Sequence, residues 1–430
     1  MRKIPLPTPR QEEWADLELG VIIHHCMETY HPDIPISQWK CSPDRMPAES
    51  FAPTDENTDQ WLEAASKLGA KYAVFVANHV TGFSMWPTRE NSYSIASSPY
   101  KNGGADIVAD FIASCKKYGI RPGLYYSTGC NGYYGINDSE KQDYMSKKYR
   151  DYVAMVERQL VELWGNYGEL FELWFDGGVI PRELGGPDIP RLIETYQPNA
   201  VCFQGPREHT QNLRWVGNER GLAPIDCWST SKRNTCGFGG DEEDDVVGIG
   251  NPDGEYWIPA QTHMGNRRQN AFGGGWGWAK NEESLVYPPE ELLARYITSV
   301  GRNSNLLIGM CISQRGHFED SWQFERFGEL VADIYKSPAA TTRGSGDEFI
   351  LRFEHSEPIR YIVIKEDIHY GERVREFSVE IDDGGWKPCF DARCIGHKRI
   401  IELGANVSAV RLKLSKAVDT PIIKEFTCYR

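Results

Sequence analysis

The chain has no stretch near the roughly 20 consecutive apolar residues that a membrane-spanning helix needs, so no membrane partner is expected from its 430 residues. No C-x-x-C pair, HxH, HExxH, GxSxG or GxxxxGK[ST] occurs. Those absences remove the usual sequence signals for zinc hydrolases, serine-hydrolase elbows and phosphate loops. Positive charge is also short: 47 Lys and Arg stand against 61 Asp and Glu, a net charge of −14. A nucleic-acid binder needs a basic stripe to displace counterions, so no nucleic-acid partner is expected. The opening MRKIPLPTPRQEEW has basic residues but no apolar run behind them, unlike a signal peptide. A cytoplasmic location is the expectation, or a periplasmic or secreted one if a leader has been removed. Eleven cysteines, an odd and scattered set, point to reduced, mostly buried thiols rather than to a disulfide framework.

Aromatic residues are abundant instead: 13 Trp, 21 Tyr and 17 Phe. Such rings stack on the apolar faces of sugars, which leans an acidic chain toward carbohydrate, although core packing uses the same residues. Short apolar runs alternate with helical patterns through the first three-quarters. The expected strands are Leu19–His25, Tyr72–His79, Arg121–Thr128, Glu172–Gly177, Asn199–Gly205, Leu213–Glu219, Tyr256–Thr262 and Asn305–Met310. Amphipathic segments such as DQWLEAASKLG, ADIVADFIASCKKYG and YRDYVAMVERQLVELWGNYG lie between them and end at glycine, as helix C-caps do. Eight such strands with intervening helices imply a (β/α)8 TIM-like barrel over residues 1–340. The polar stretch PAATTRGSGD follows, and then alternating strands without helices, which imply an antiparallel β-sandwich over residues 341–430. Those strands carry no clustered acids or histidines and read as a packing module. The run DEEDD at Asp241–Asp245 reads as a solvated loop.

Active sites of such barrels form at the C-terminal strand ends. Here these ends carry His24-His25, Asn78-His79, Tyr125-Tyr126, Asp176 and, after strand six, Glu219. Alone, Asp176 reads as a turn residue and Glu219 as a surface ion-pair partner. Together they suit a retaining glycoside hydrolase, in which one carboxylate attacks the anomeric carbon and the other protonates the leaving oxygen. Adjacent residues of a strand point to opposite faces, so His24 and His25 cannot share one metal ion. No metal and no cofactor is expected.

The segments IPLPTPRQEEW, GVIIHH, GFSMWP, GLYYS, LWFDGG, RWVGNERG, SVGRNSNLL and IVIKEDIHYGERVREFSVE carry a resemblance over nearly the whole length. The chain resembles the α-L-fucosidases of glycoside hydrolase family 29, most of all the branch that cleaves α-1,3 and α-1,4 fucosyl linkages. The resemblance implies an exo-acting enzyme on an oligosaccharide or glycan, with Asp176 as nucleophile and Glu219 as acid/base. His24, Trp39, His79 and Tyr126 would contact the sugar, with Tyr125 as the alternate to Tyr126. Arg214 and Trp278 would stand at the rim. Four positions depart from the family pattern. Asn78-His79-Val80-Thr81-Gly82-Phe83 replaces the usual lysine-histidine-histidine-aspartate-glycine-phenylalanine. CMETY follows strand one in place of a glycine-containing turn, Gln38 precedes Trp39 where glutamate is common, and Gln261 stands where an acid often sits. These residues surround the sugar, so an α-L-galactosidase is the alternative, with a sulfated galactan as substrate and Arg267-Arg268 meeting the sulfate. A carbohydrate-binding barrel without catalysis is the reading from another class.

Overall fold

Eight parallel strands close into a barrel in the computed structural model, which describes residues 4–40, 43–137, 142–234 and 248–430. The strands are β1 (Leu19–His24), β2 (Tyr72–Asn78), β3 (Arg121–Tyr126), β4 (Glu172–Trp174), β5 (Val201–Phe203), β6 (Asn212–Trp215), β7 (Ala260–Met264) and β8 (Ser304–Cys311). Neighbouring strands follow chain order, and β1 pairs with β8 from Leu19 opposite Leu306 to His24 opposite Cys311. The expected TIM-like barrel is therefore present. The run DEEDD lies outside the described residues.

The helices begin and end where side-chain chemistry dictates. Asn57 caps Thr58–Leu68 by accepting from the Gln60 amide, and Asp106 caps Ile107–Tyr118 by accepting from the Ala109 amide. Both helices end at a left-handed glycine, Gly69 and Gly119. The third expected helix runs Lys147–Asn166 and stops just short of Gly168. Among the described residues no α-helix joins β5 to β6 or β6 to β7. The expected strand Tyr256–Thr262 is divided: Tyr256–Trp257 pairs antiparallel with Thr230–Ser231, and the barrel strand starts at Ala260. Pro259, lacking an N–H, sits at the break.

Each barrel strand alternates between two apolar layers. Ile22, Val74, Tyr125, Trp174, Phe203, Leu213 and Leu307 pack together inside the barrel over Trp14. Val21, Ile23, Phe75, Leu124, Tyr126, Leu173 and Ile308 belong to the outer layer beneath the helices. This period of two assigns every strand-end side chain to the mouth or to the helix layer.

The C-terminal strands form one antiparallel sheet that closes over its own core, the expected sandwich architecture. They are β9 (Pro338–Ser345), β10 (Glu348–Glu366), β11 (Val374–Asp382), β12 (Trp386–Ala392), β13 (Arg399–Ala417) and β14 (Ile422–Tyr429), in the order β9-β14-β10-β13-β11-β12. Phe349 and Leu351 from one end of β10 and Ile362 and Ile364 from the other share one core cluster with Leu412 and Phe426. The pairs of short strands expected around residues 349–367 and 399–415 are single 19-residue strands, β10 and β13, bent at register shifts such as Arg352/Glu357. The sheet is latched to the barrel through buried Glu372, whose carboxylate accepts from the Ser229 amide at 2.9 Å and the Asn303 side chain at 2.6 Å. All nine described cysteines are free and eight of them are buried.

The barrel interior also holds a carboxyl group. Glu172 accepts from Gln261 Nε2 at 2.8 Å and from Trp14 Nε1 at 3.3 Å. Complete burial pushes its pKa up to about 8, against the opposing effect of those two hydrogen bonds. A carboxyl whose folded pKa exceeds its unfolded one contributes stability below the unfolded value and loses it as pH rises. Folding stability should therefore decline between about pH 4.5 and 8 through Glu172. Glu172→Gln keeps the neutral shape and should make the decline across that window shallower in denaturant titrations, with the share of buried Glu366 remaining. An unchanged slope would remove Glu172 as its source.

Candidate active site

Asp176 lies two residues beyond Trp174, so the alternation that turns Trp174 inward carries Asp176 to the barrel mouth. Gly177 and Gly178, both at positive φ, then turn the chain away. The Tyr125 hydroxyl donates to Asp176 Oδ2 at 3.2 Å. Burial, followed by the charge of Asp176, drives the Tyr125 phenol well above its usual pKa, so it stays a protonated donor. Glu219 follows β6 beyond a turn at Gly217 and accepts a 3.1 Å hydrogen bond at Oε2 from the Trp276 indole. Asp176 and Glu219 are both exposed and line one cavity of about 270 Å³.

Aromatic rings and histidines make the walls. Trp39 lies across Gly273, where a Cβ would come within 2.5 Å of the indole, so only glycine admits the ring there. The Trp39 Nε1 donates to the Ile34 carbonyl at 3.1 Å, which leaves the ring face to the cavity. Trp174 stacks on Phe203 at 4.3 Å between ring centres, and Trp276 packs on His24 at 5.4 Å. Burial, aided by the nearby His79 charge, lowers the His24 pKa to about 3. Burial alone takes His263 to about 3 as well. Both are neutral imidazoles, able to accept as well as donate hydrogen bonds. His79 behaves oppositely. Burial lowers its pKa, but Glu28, hydrogen-bonded to Nδ1 at 2.6 Å, and then Asp176 raise it beyond the ordinary value, with Lys40 opposing.

Of the residues expected from sequence, the structure brings Asp176, Glu219, His24, Trp39 and His79 into this cavity. Three expectations are corrected. Tyr126 belongs to the outer layer and donates to Gln159 Oε1 at 2.6 Å, so Tyr125 takes its place at the mouth. Arg214 alternates with the inward Leu213 and turns away from the barrel interior, where it donates to the carbonyls of Gly248 and Trp228 at 2.9 and 2.7 Å. Trp276 rather than Trp278 lines the cavity. The pair Arg267-Arg268 also stands elsewhere: Arg267 is buried against Asp320, and Arg268 pairs with Glu291 at 2.6 Å. Gln38 is exposed and accepts from Arg45 at 2.7 Å. Trp174, His263 and Lys40 line the cavity unanticipated. Spacing could have found two of these, since Trp174 and His263 lie two residues from Asp176 and Gln261. No cavity-lining residue among those described comes from beyond Leu307, so the sheet leaves the site to the barrel.

Cys26, Glu28 and His79 place three atoms of metal-ligand type within 4.8 Å of one another. A metal would need the thiolate. Burial, then Glu28, then Cys311 hold the Cys26 thiol well above its usual pKa, and Glu28 is engaged with His79. Within the trio the contact that forms is the 2.6 Å hydrogen bond between Glu28 and His79.

A sequence profile of the family described as Alpha-L-fucosidase matches residues 8–329. The chain is 28% identical to Alpha-L-fucosidase 1 of Arabidopsis thaliana, over 99% of this chain and 88% of the relative. It superposes on the crystal structure of a putative alpha-L-fucosidase from Bacteroides thetaiotaomicron with a TM-score of 0.91 and 30% identity, each chain covered fully. A glycoside hydrolase 29 family member from an unknown rumen bacterium gives a TM-score of 0.84 and 28% identity, covering all of this chain and 78% of that one.

The two tyrosines of β3 separate site from scaffold. Tyr125→Phe removes the hydrogen bond to Asp176 and should lower kcat/KM on an aryl glycoside by roughly 10- to 100-fold, the worth of one bond to a charged group. Tyr126→Phe should leave kcat/KM within about twofold and cost ~1 kcal/mol of stability through the lost bond to Gln159. Steady-state kinetics and chemical denaturation of the two variants check this; equal kinetic losses would contradict it.

Proposed function

The chain belongs to the α-L-fucosidase family of glycoside hydrolases, and from that premise we propose that it is a retaining exo-α-L-fucosidase acting on oligosaccharides or glycoconjugates. The observation that carries this reading is the convergence of Asp176 and Glu219 on one aromatic-walled cavity of about 270 Å³. Drug-sized ligands occupy about 300–1,000 Å³, so this volume suits one terminal sugar ring rather than an internal chain segment. The rings of Trp39, Trp174 and Trp276 offer apolar faces, and His24, His79 and His263 offer polar edges for hydroxyl groups.

In the first step the Asp176 carboxylate attacks the anomeric carbon, with Tyr125 holding Oδ2, while Glu219 protonates the departing glycosidic oxygen. The sugar–oxygen bond breaks as the Asp176–sugar ester forms. In the second step Glu219 takes a proton from water, which attacks the same carbon and releases Asp176. The Trp276 indole fixes the Glu219 carboxyl in place for both steps. The L-galactose alternative uses the same machinery. Its sulfated form loses Arg267 and Arg268, which are engaged in ion pairs outside the cavity lining.

Glu219→Ala should lose natural glycosides by about 10²–10⁴-fold, while activated aryl fucosides, which depart with little protonation, should lose far less. Azide should restore part of the aryl rate by replacing the base-assisted water. Asp176→Ala should lose both substrate types alike and by a larger factor, because attack is lost whatever departs. Parallel assays on aryl α-L-fucoside and aryl α-L-galactoside test the sugar, with the fucoside expected to turn over faster. Equal losses on both leaving groups without azide rescue would place the acid/base elsewhere.

A further inference from the structure

Glu28 is a carboxylate for which the double displacement has no use, yet it is 1% exposed directly behind the cavity wall. It sits in the short turn after β1, and its Oε1 lies 2.6 Å from His79 Nδ1 at the end of β2. Its other oxygen, Oε2, is buried without a hydrogen-bond partner among the described residues. A buried carboxylate satisfied on one oxygen alone needs a counter-charge at that oxygen. The groups facing His79 come from every side: Glu28 and Cys26 from the turn, His24 from β1, Tyr125 from β3, Asp176 beyond β4, and Lys40 from the segment between β1 and the helix Thr58–Leu68. His24 is neutral, Cys26 and Tyr125 hold their protons, and Lys40 is the opposing cation.

We propose that Glu28 is a positioning residue that fixes His79 as a charged, donor-only side chain in the cavity wall beside Asp176. With Nδ1–H committed to Glu28, the Nε2–H is the ring's remaining donor. A doubly protonated imidazole cannot accept, so it selects an oxygen lone pair of the substrate, whereas neutral His24 and His263 retain an acceptor. Its charge also favours the ionised form of Asp176 that must attack. Glu28 does not line the cavity and acts only through His79.

The inference rests on the proposed function only for its kinetic consequence, so the experiment has an activity-free readout. In ¹⁵N-labelled protein, with the His79 signals assigned by their loss in His79→Gln, the ring should keep both protons to a pH above the ordinary histidine midpoint of about 6.5. In Glu28→Gln, which keeps the shape and loses the charge, Asp176 alone opposes burial and the ring should lose its second proton at a lower pH than in the wild type. Glu28→Asp should restore part of the difference. With an aryl fucoside whose leaving group needs no protonation, kcat/KM of Glu28→Gln should match wild type within about twofold at acidic pH and fall behind it, by up to about one decade per pH unit, as pH rises past the variant's His79 midpoint. A His79 ring already neutral at pH 7 in the wild-type protein would overturn the proposal even if Glu28→Gln does not fold. So would a Glu28→Gln ring that titrates as in wild type. Failure of the fucoside assay with an intact ¹⁵N result would fault the proposed substrate and not the pairing.

Discussion

The pairing of β1 with β8, from Leu19 opposite Leu306 to His24 opposite Cys311, closes the sheet on itself, and each side chain of the site depends on that closure. In a closed parallel barrel the register cannot slip on one strand without breaking two ladders. A slip by one residue would exchange Tyr125 for Tyr126 and His24 for His25. Tyr126 is built for Gln159 of the surrounding helix, and His25 for Tyr30 at 3.0 Å. Closure therefore does more than bury apolar area. It decides which residue of each strand-end pair faces the cavity.

The same closure puts polar groups where water cannot reach them, and the barrel resolves this with hydrogen bonds rather than charge. Gln261 donates to Glu172 and accepts from Trp174 at 3.1 Å and His263 at 2.8 Å. The network runs from neutral Glu172 up to two cavity walls. Nearer the mouth Asp176 and Glu219 meet solvent, and His79 is held against Glu28 at 2.6 Å in the wall beside them. A neutral floor beneath a charged rim suits a reaction in which a carboxylate attacks and a carboxyl donates a proton.

Much of this was legible in the sequence because a barrel announces itself in apolar strands, and the strand ends name the candidates. Asp176 and Glu219 needed no structure to be found together. The phase of alternation was harder. Nothing local distinguishes Tyr125 from Tyr126, and only packing against the helix layer separates them. Arg214 failed for the same reason, lying one residue from the inward Leu213. The polar stretch PAATTRGSGD, which lies at the expected domain boundary, forms the edge strand β9, where one side of the ladder is left unpaired and polar residues are tolerated. The contact between Glu28 and His79 spans 51 residues of sequence, and no pattern in either segment points to the other.

The central claim is that Asp176 becomes covalently bound to the sugar. A 2-deoxy-2-fluoro-α-L-fucosyl fluoride slows both steps, and its good leaving group keeps the first step the faster, so the intermediate accumulates. Proteolysis and mass spectrometry of the inactivated protein should then find the fluorofucosyl group on the peptide carrying Leu173-Trp174-Phe175-Asp176, at Asp176 itself. Label on another carboxylate, or slow turnover of the reagent with no labelled peptide, would contradict the account.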